Sequence, residues 1–343
     1  MYARLKAPVP LIQVMILVLV ATIGFAYVKW APYYAKAFVA QSHHAIGDSI
    51  LSGRSASAPA TSWNAAVDYA IAYGKSIWQA LVLGLVLGSG IKALLPNQWV
   101  NTLLGRIGMR SVALGSLFAI PCMMCTCCAA PVAIGMRQRQ ASVGSVVAWW
   151  MSNPLLNPAT LIFMGFVLGW GWTLFRIVFG IAMVIGVAFL AERYAGPRES
   201  APQITPDEPS SGSFLTRWAR ELISLTIRLV PEYLVIVLLL GAARIWLFPT
   251  LDAHNSIIWI IAMALAGMLF VIPTAGEVPI LQAMFALGMG TGPAGALIMT
   301  LPAVSLPSLA MMGRVLSLQT RLIIASGVVF SGIVAGLAAM IVF

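Results

Sequence analysis

The segment Ala119–Pro131 reads AIPCMMCTCCAAP and runs directly into PVAIGMRQRQASVGSVVAWWMSNPLLNP, Pro131–Pro158. All four cysteines of the chain, Cys122, Cys125, Cys127 and Cys128, fall within seven positions of it. Proline removes a backbone donor and clashes with the preceding turn, so Pro121, Pro131, Pro154 and Pro158 cut this apolar run into pieces of about eight to twelve residues. Such pieces are shorter than the roughly 20 residues that cross a bilayer. Broken backbone at membrane depth is tolerated where protein or a water-filled cavity satisfies its polar groups.

The pattern recurs in Pro279–Pro307, PILQAMFALGMGTGPAGALIMTLPAVSLP. At a constant offset of 148, Pro131, Met136, Gly144, Ala148, Met151 and Pro154 coincide with Pro279, Met284, Gly292, Ala296, Met299 and Pro302. Upstream the offset becomes 152 or 153, pairing Ile120-Pro121 with Ile272-Pro273, Gly88 with Gly241 and Pro96 with Pro249. The first half therefore carries about four extra residues, located inside the cysteine stretch. Residues 131–140 with 141–153, and 279–288 with 290–301, read as two helical hairpins meeting across the bilayer.

Of 343 residues, 60% are hydrophobic and 9% charged, far from the roughly 25% charged residues of a soluble domain. Apolar stretches predict an all-α integral membrane protein of eight to ten transmembrane helices, some interrupted. The net charge of +10 comes from Arg and Lys set singly in short loops, where they anchor topology, so no nucleic-acid partner is expected. The first apolar run is too long for a signal peptide and is read as a retained helix. The boundaries expected are an N-terminal helix and extracytoplasmic segment over 1–70, a first membrane repeat over 71–192, a cytoplasmic linker over 193–221, and a second repeat over 222–343. Arg193, Arg198, Arg217 and Arg220 place the linker in the cytoplasm. The halves then enter from opposite sides, as inverted repeats with re-entrant hairpins and discontinuous helices around a midplane site.

Polar side chains within the apolar runs are the candidates for substrate binding: Ser152, Asn153 and Asn157 in the first half, Thr300 and Ser305 in the second. Neutral groups of this kind also glue helices together. Glu277, in IPTAGEVP, is the candidate for coupling, since a carboxylate at membrane depth either titrates or pairs with a cation; Glu232 is a second, nearer a helix start. Arg137 and Arg139 sit at a hairpin tip where they can snorkel, and His43 and His44 lie in a polar loop.

Four cysteines in one segment exclude a framework of disulfides stapling distant loops. Structural zinc draws ligands from two elements, and no second cluster exists, so no metal site is expected. Thiolates select soft partners, and neutral cysteine is tolerated in apolar surroundings as a small hydrophobe. A cluster of thiols at a proline-flanked break suits a mobile thiophilic solute such as trivalent arsenic or antimony.

The stretch IPCMMCTCCAAPVAIGMRQRQASVGSVVAWWMSNPLLNPATL resembles the predicted permease family that includes trivalent organoarsenical efflux permeases. In that family a Cys-Ser-Cys-Gly-x-x-Pro signature precedes Ser-x-Pro-x-x-Asn-Pro. The resemblance covers about Ala70 to Phe343 and places Cys125, Cys127, Pro131, Ser152, Pro154, Asn157 and Pro158 at signature positions. Thr126 stands for the serine and Cys128 for the glycine. It implies a multi-pass permease of the inner membrane, not an enzyme, exporting a small thiophilic solute with proton coupling, in contact with lipid and compatible with homo-oligomerisation. No cofactor is expected, and the absence of a Walker-type loop argues against ATP hydrolysis by this chain. Import of a sulfur compound or anion is an alternative, since half-helix N-termini favour negative groups. A membrane thiol oxidoreductase using Cys122 and Cys125 as a C-x-x-C pair is a third.

Overall fold

The computed structural model describes residues 11–51, 62–195, 213–248 and 255–343. Most of the expected linker, with Arg198, lies outside these residues, as does Pro249. The described residues are all-α, without strands. Helix α1 (Leu11–Phe25) passes through a π-turn at Ala26–Trp30 into α2 (Ala31–His43). Ile12–His43 is thus one apolar helix of 32 residues. Within the N-terminal region expected over 1–70, the helix continues as far as His43, because the alanine-rich start of α2 favours continuation.

The first repeat comprises α3 (Trp63–Leu94), α4 (Asn97–Leu104), α5 (Met109–Ala119), α6 (Thr126–Gln138), α7 (Val143–Leu155), α8 (Pro158–Val167) and α9 (Trp170–Tyr194). The second comprises α10 (Phe214–Leu247), α11 (Ile257–Leu269), α12 (Glu277–Ala286), α13 (Thr291–Ala303), α14 (Leu306–Met312) and α15 (Leu318–Val342). Among the described residues six helices are long and apolar enough to cross a bilayer, or seven with the α4–α5 region, bent by 109°, counted as one span. The expectation of eight to ten is higher because apolar runs alone do not distinguish hairpin arms from crossings.

Packing between halves pairs α3 with α10, α7 with α13, α9 with α15, α6 with α14, and α8 with α12. Equivalent helices run antiparallel. Trp218, near the start of α10, donates its indole N–H to the Val86 carbonyl near the end of α3 at 3.1 Å. Arg244, near the end of α10, lies 5.6 Å over the Tyr69 ring near the start of α3. Likewise Phe343, after α15, stacks at 4.0 Å on Trp172 at the start of α9. The hairpins agree: the tip between α6 and α7 meets the C-terminal end of α9, where Gly144 N–H donates to Glu192. The tip between α12 and α13 meets its N-terminal end, where Phe285 lies 5.6 Å from Trp172. The 25 residues of α9 rise about 37 Å, enough to span the bilayer. The repeats are therefore inverted.

Four of the prolines do not sit where the chain breaks, whereas Pro121, Pro158, Pro273 and Pro307 lie at or beside a break. Pro131 lies inside α6, Pro154 inside α7 and Pro302 inside α13, while Pro279 occupies the first turn of α12, where its missing donor costs nothing. The breaks fall at 123–125, 156–157, 270–276 and 304–305. In two of them a non-glycine residue adopts a left-handed backbone, Met123 at φ 51° and Ala275 at φ 66°. These two are equivalent at the 152 offset, so the same kink follows Pro121 and Pro273. From the kink, α6 begins five residues before Pro131 but α12 only two before Pro279. The insertion is therefore mainly an added first turn of α6, and it carries the cysteines.

Candidate functional site

Two of the breaks, and the helix ends flanking the other two, meet around one small cavity. A cavity of about 10 Å³, room for about one water, is lined from the first half by Cys125, Thr126, Pro154 and Thr160, and from the second by Ile272–Ala275, Glu277, Leu301 and Pro302. Both arms of the first hairpin have 13 residues, so the site lies about 20 Å below the tip, within the hydrocarbon thickness.

Cys125 is the N-cap residue of α6, and Cys128 follows one turn later. Their sulfurs are 2.9 Å apart as free thiols. Cys127 projects from the same turn toward Ser305, 3.5 Å from its hydroxyl. Thr126 approaches Ser305 at 3.4 Å, and its carbonyl accepts the Trp150 indole N–H at 2.9 Å. Close packing of α6 on α3 holds this turn. A Cβ at Gly84 would overlap the Cys128 carbonyl, and one at Gly88 the Pro131 carbonyl, so these glycines four apart let the helix backbones touch. Cys122 stands apart, half-buried, its thiol donating to the Phe118 carbonyl at 3.3 Å.

Asn153 and Asn157 belong to the break and not to an open path. Asn153 Oδ1 accepts from Met124 N–H at 3.4 Å, and its amide donates to the Trp149 carbonyl. Asn157 caps α8 by accepting from Ala159 and Thr160 N–H. Its equivalent Ser305 caps α14 reciprocally with Ser308. Ser152 Oγ, Asn157 Nδ2 and Thr160 Oγ1 are buried without a hydrogen-bond partner. Thr300 instead donates within its own helix, to the Ala296 carbonyl at 2.9 Å, away from the cavity.

Glu277, at the first position of α12, is 2% exposed and pairs at 2.7 Å with Arg176 of α9, itself fully buried. Arg176 also donates to the Leu155 carbonyl at 3.0 Å and the Pro154 carbonyl at 2.7 Å. One guanidinium thus closes the C-terminal end of α7 and the N-terminal end of α12, where a carboxylate is favoured by the helix dipole. Glu232 lies elsewhere, paired at 3.1 Å with Arg314 and 41% exposed. Arg139 donates to the Lys92 carbonyl and to Asn97, anchoring the first tip; the His44 imidazole meets the Phe166 carbonyl at 2.8 Å.

Four residues at the site escaped the sequence reading: Lys29, Thr160, Arg176 and Thr274. Arg176, in GWTLFRIVFG, carried a usable signal, since an ionisable residue in the middle of an apolar run marks function or pairing. Lys29 sat near the end of the first apolar run, where it passed for an interfacial anchor. Thr160 and Thr274 carried none beyond their nearness to Asn157 and Glu277.

A family model described as a predicted permease matches residues 10–164 and 62–341. The chain belongs to that predicted permease family. The permease is 50% identical over 322 residues to the UPF0718 protein YraQ of Escherichia coli (strain K12), covering 93% of this chain and 92% of that one. It is 22% identical over 311 residues to the UPF0718 protein MJ0584 of Methanocaldococcus jannaschii, covering 69% and 84%. No solved structure matches it. Family and fold together make the permease a multi-pass membrane transporter.

Proposed function

We propose that this transporter moves a small thiophilic solute, such as a trivalent (organo)arsenical, out of the cell across the inner membrane, and that Cys125 and Cys128 hold it. The observation supporting this is the pair of thiols 2.9 Å apart, of which Cys125 lines the cavity and Cys128 stands directly behind it. Two sulfurs on one helical turn can share one soft atom. With an As–OH species, each As–S bond forms as a thiol proton leaves with the hydroxide as water, so binding two thiols releases two waters and changes no oxidation state. Cys127 and Ser305 stand one step behind, where a third sulfur can receive the solute. Ser152 and Asn157 contribute unpartnered polar groups to the same break.

Proton coupling falls to Glu277, the carboxylate at the cavity, through exchange of its Arg176 partner for a proton. Glu232, paired at a half-exposed position, has no comparable access to the solute. In cells expressing the protein, Cys125→Ser with Cys128→Ser is expected to abolish resistance to trivalent arsenicals, while Cys122→Ser leaves it intact. Resistance unchanged in the double variant would remove the thiol mechanism. A second reading, transport of a sulfur compound or anion, is favoured by a buried cation beside the same cavity.

A further inference from the structure

The N-terminal helix lies outside both repeats, yet it touches both of their kinked breaks. Trp30 donates its indole N–H to the Pro121 carbonyl at 2.8 Å. One residue earlier, the Lys29 ammonium donates to the Thr274 hydroxyl at 3.0 Å and to Tyr33 at 3.3 Å. Both residues sit at the π-turn Ala26–Trp30, a local widening of the helix of the kind found at functional sites.

Lys29 is 4% exposed, and among the described residues no carboxylate lies within ion-pair distance of it. The other charges at the cavity, Arg176 and Glu277, neutralise each other. The site therefore holds a buried ammonium at membrane depth with no carboxylate beside it and with Tyr33 and the cysteine turn as its electrostatic partners, so an anion entering the cavity adds a full counter-charge. The rest of the wall has the same sign preference. Helix α6 has no side-chain cap, so its first turn presents N–H groups at the break, whereas on α12 the Val278 N–H is taken by the Ala275 carbonyl and Pro279 has none. Thr160 Oγ1, 1% exposed and without a partner, borders the cavity. Thr274, whose oxygen accepts from Lys29, also lines it and stands between the ammonium and the Cys125 sulfur.

We propose that the cavity also takes a small thiophilic anion, beside the neutral arsenical of the reading above, and that Lys29, acting across Thr274, supplies the charge that holds it. The sulfur or other soft atom faces Cys125, and the negative oxygens face Thr274 and the first turn of α6. This rests on the reading of the cavity as the solute site.

Purified full-length protein is titrated calorimetrically with thiosulfate, as a thiophilic anion, and with phenylarsine oxide, as an uncharged thiophile. Wild type is expected to bind both. In Lys29→Met the ratio of thiosulfate to phenylarsine oxide affinity is expected to fall about tenfold or more, Thr274→Val to lower it in the same direction, and Lys29→Arg to restore most of it. An unchanged ratio in Lys29→Met and Thr274→Val overturns the proposal, as does equal loss of both ligands in well-folded protein, which makes the lysine structural. If wild type binds phenylarsine oxide alone, anion binding fails while the thiol site stands. If it binds neither, the site itself fails. Should Lys29→Met not fold, Thr274→Val and Lys29→Arg decide on the same ratio.

Discussion

Arg176 and Glu277 come from different halves and meet with no solvent exposure worth the name, 0% and 2%. Removing one member of such a pair leaves the other charged and buried, which costs about 3–5 kcal/mol, whereas replacing both by apolar groups of similar size is close to neutral. Glu277→Gln is therefore expected to lower the thermal midpoint sharply in detergent, and Arg176→Met with Glu277→Leu to recover most of it. Transport separates structure from coupling: a stable double variant that still binds solute but no longer responds to an imposed pH gradient assigns Glu277 to coupling, and undiminished gradient-driven transport assigns it to architecture alone. The sequence disclosed Glu277, because an acid in IPTAGEVP has no topological reason to be there. It concealed Lys29, because a lone basic residue near the end of an apolar run looks like an anchor, and only the fold shows that it points inward.

At the scale of the element, the cysteine turn depends on how closely α6 approaches α3. A methyl group at Gly84 would meet the Cys128 carbonyl, a backbone atom that can yield only if the whole turn shifts. Gly84→Ala is expected to cost about 1–3 kcal/mol, as overpacking does, and to slow capture of a dithiol reagent by Cys125 and Cys128. Gly74→Ala, on the same helix with open space around the new atom, is the control and should leave both melting and labelling near wild type or slightly improved. The hairpins, their tips and the location of the insertion were legible from the prolines and the shifted offset. Which of the prolines mark the breaks was not. Pro131, Pro154, Pro279 and Pro302 lie within helices, and the turns fall at Met123 and Ala275, whose left-handed backbone no residue preference announces. Tertiary packing of four helix ends around one point supports that conformation, and a sequence read in one dimension has no access to it.

For the whole molecule, inversion of the repeats makes the two hairpin tips reach opposite faces of the bilayer. Around the first tip stand Arg137, Arg139, Lys92 and, at the end of α9, Arg193; around the second are Trp172, Phe285 and Phe343, with no basic side chain on α12 or on α13. The positive-inside rule puts the first tip in the cytoplasm and the second outside. The N-terminal helix fits the same frame, since Leu17 packs at Gly90 toward the first face while the Gln282 amide donates to the His44 carbonyl at the second. In a variant lacking the four native cysteines, a single cysteine at Leu287, 47% exposed beside the second tip, is expected to react with a membrane-impermeant maleimide in intact cells. A single cysteine at Gln138, exposed at the first tip, should react only after the membrane is opened. Labelling of both from outside would make the repeats parallel with respect to the bilayer, and the antiparallel packing of α3 on α10 and of α9 on α15 would then have no place in the native molecule.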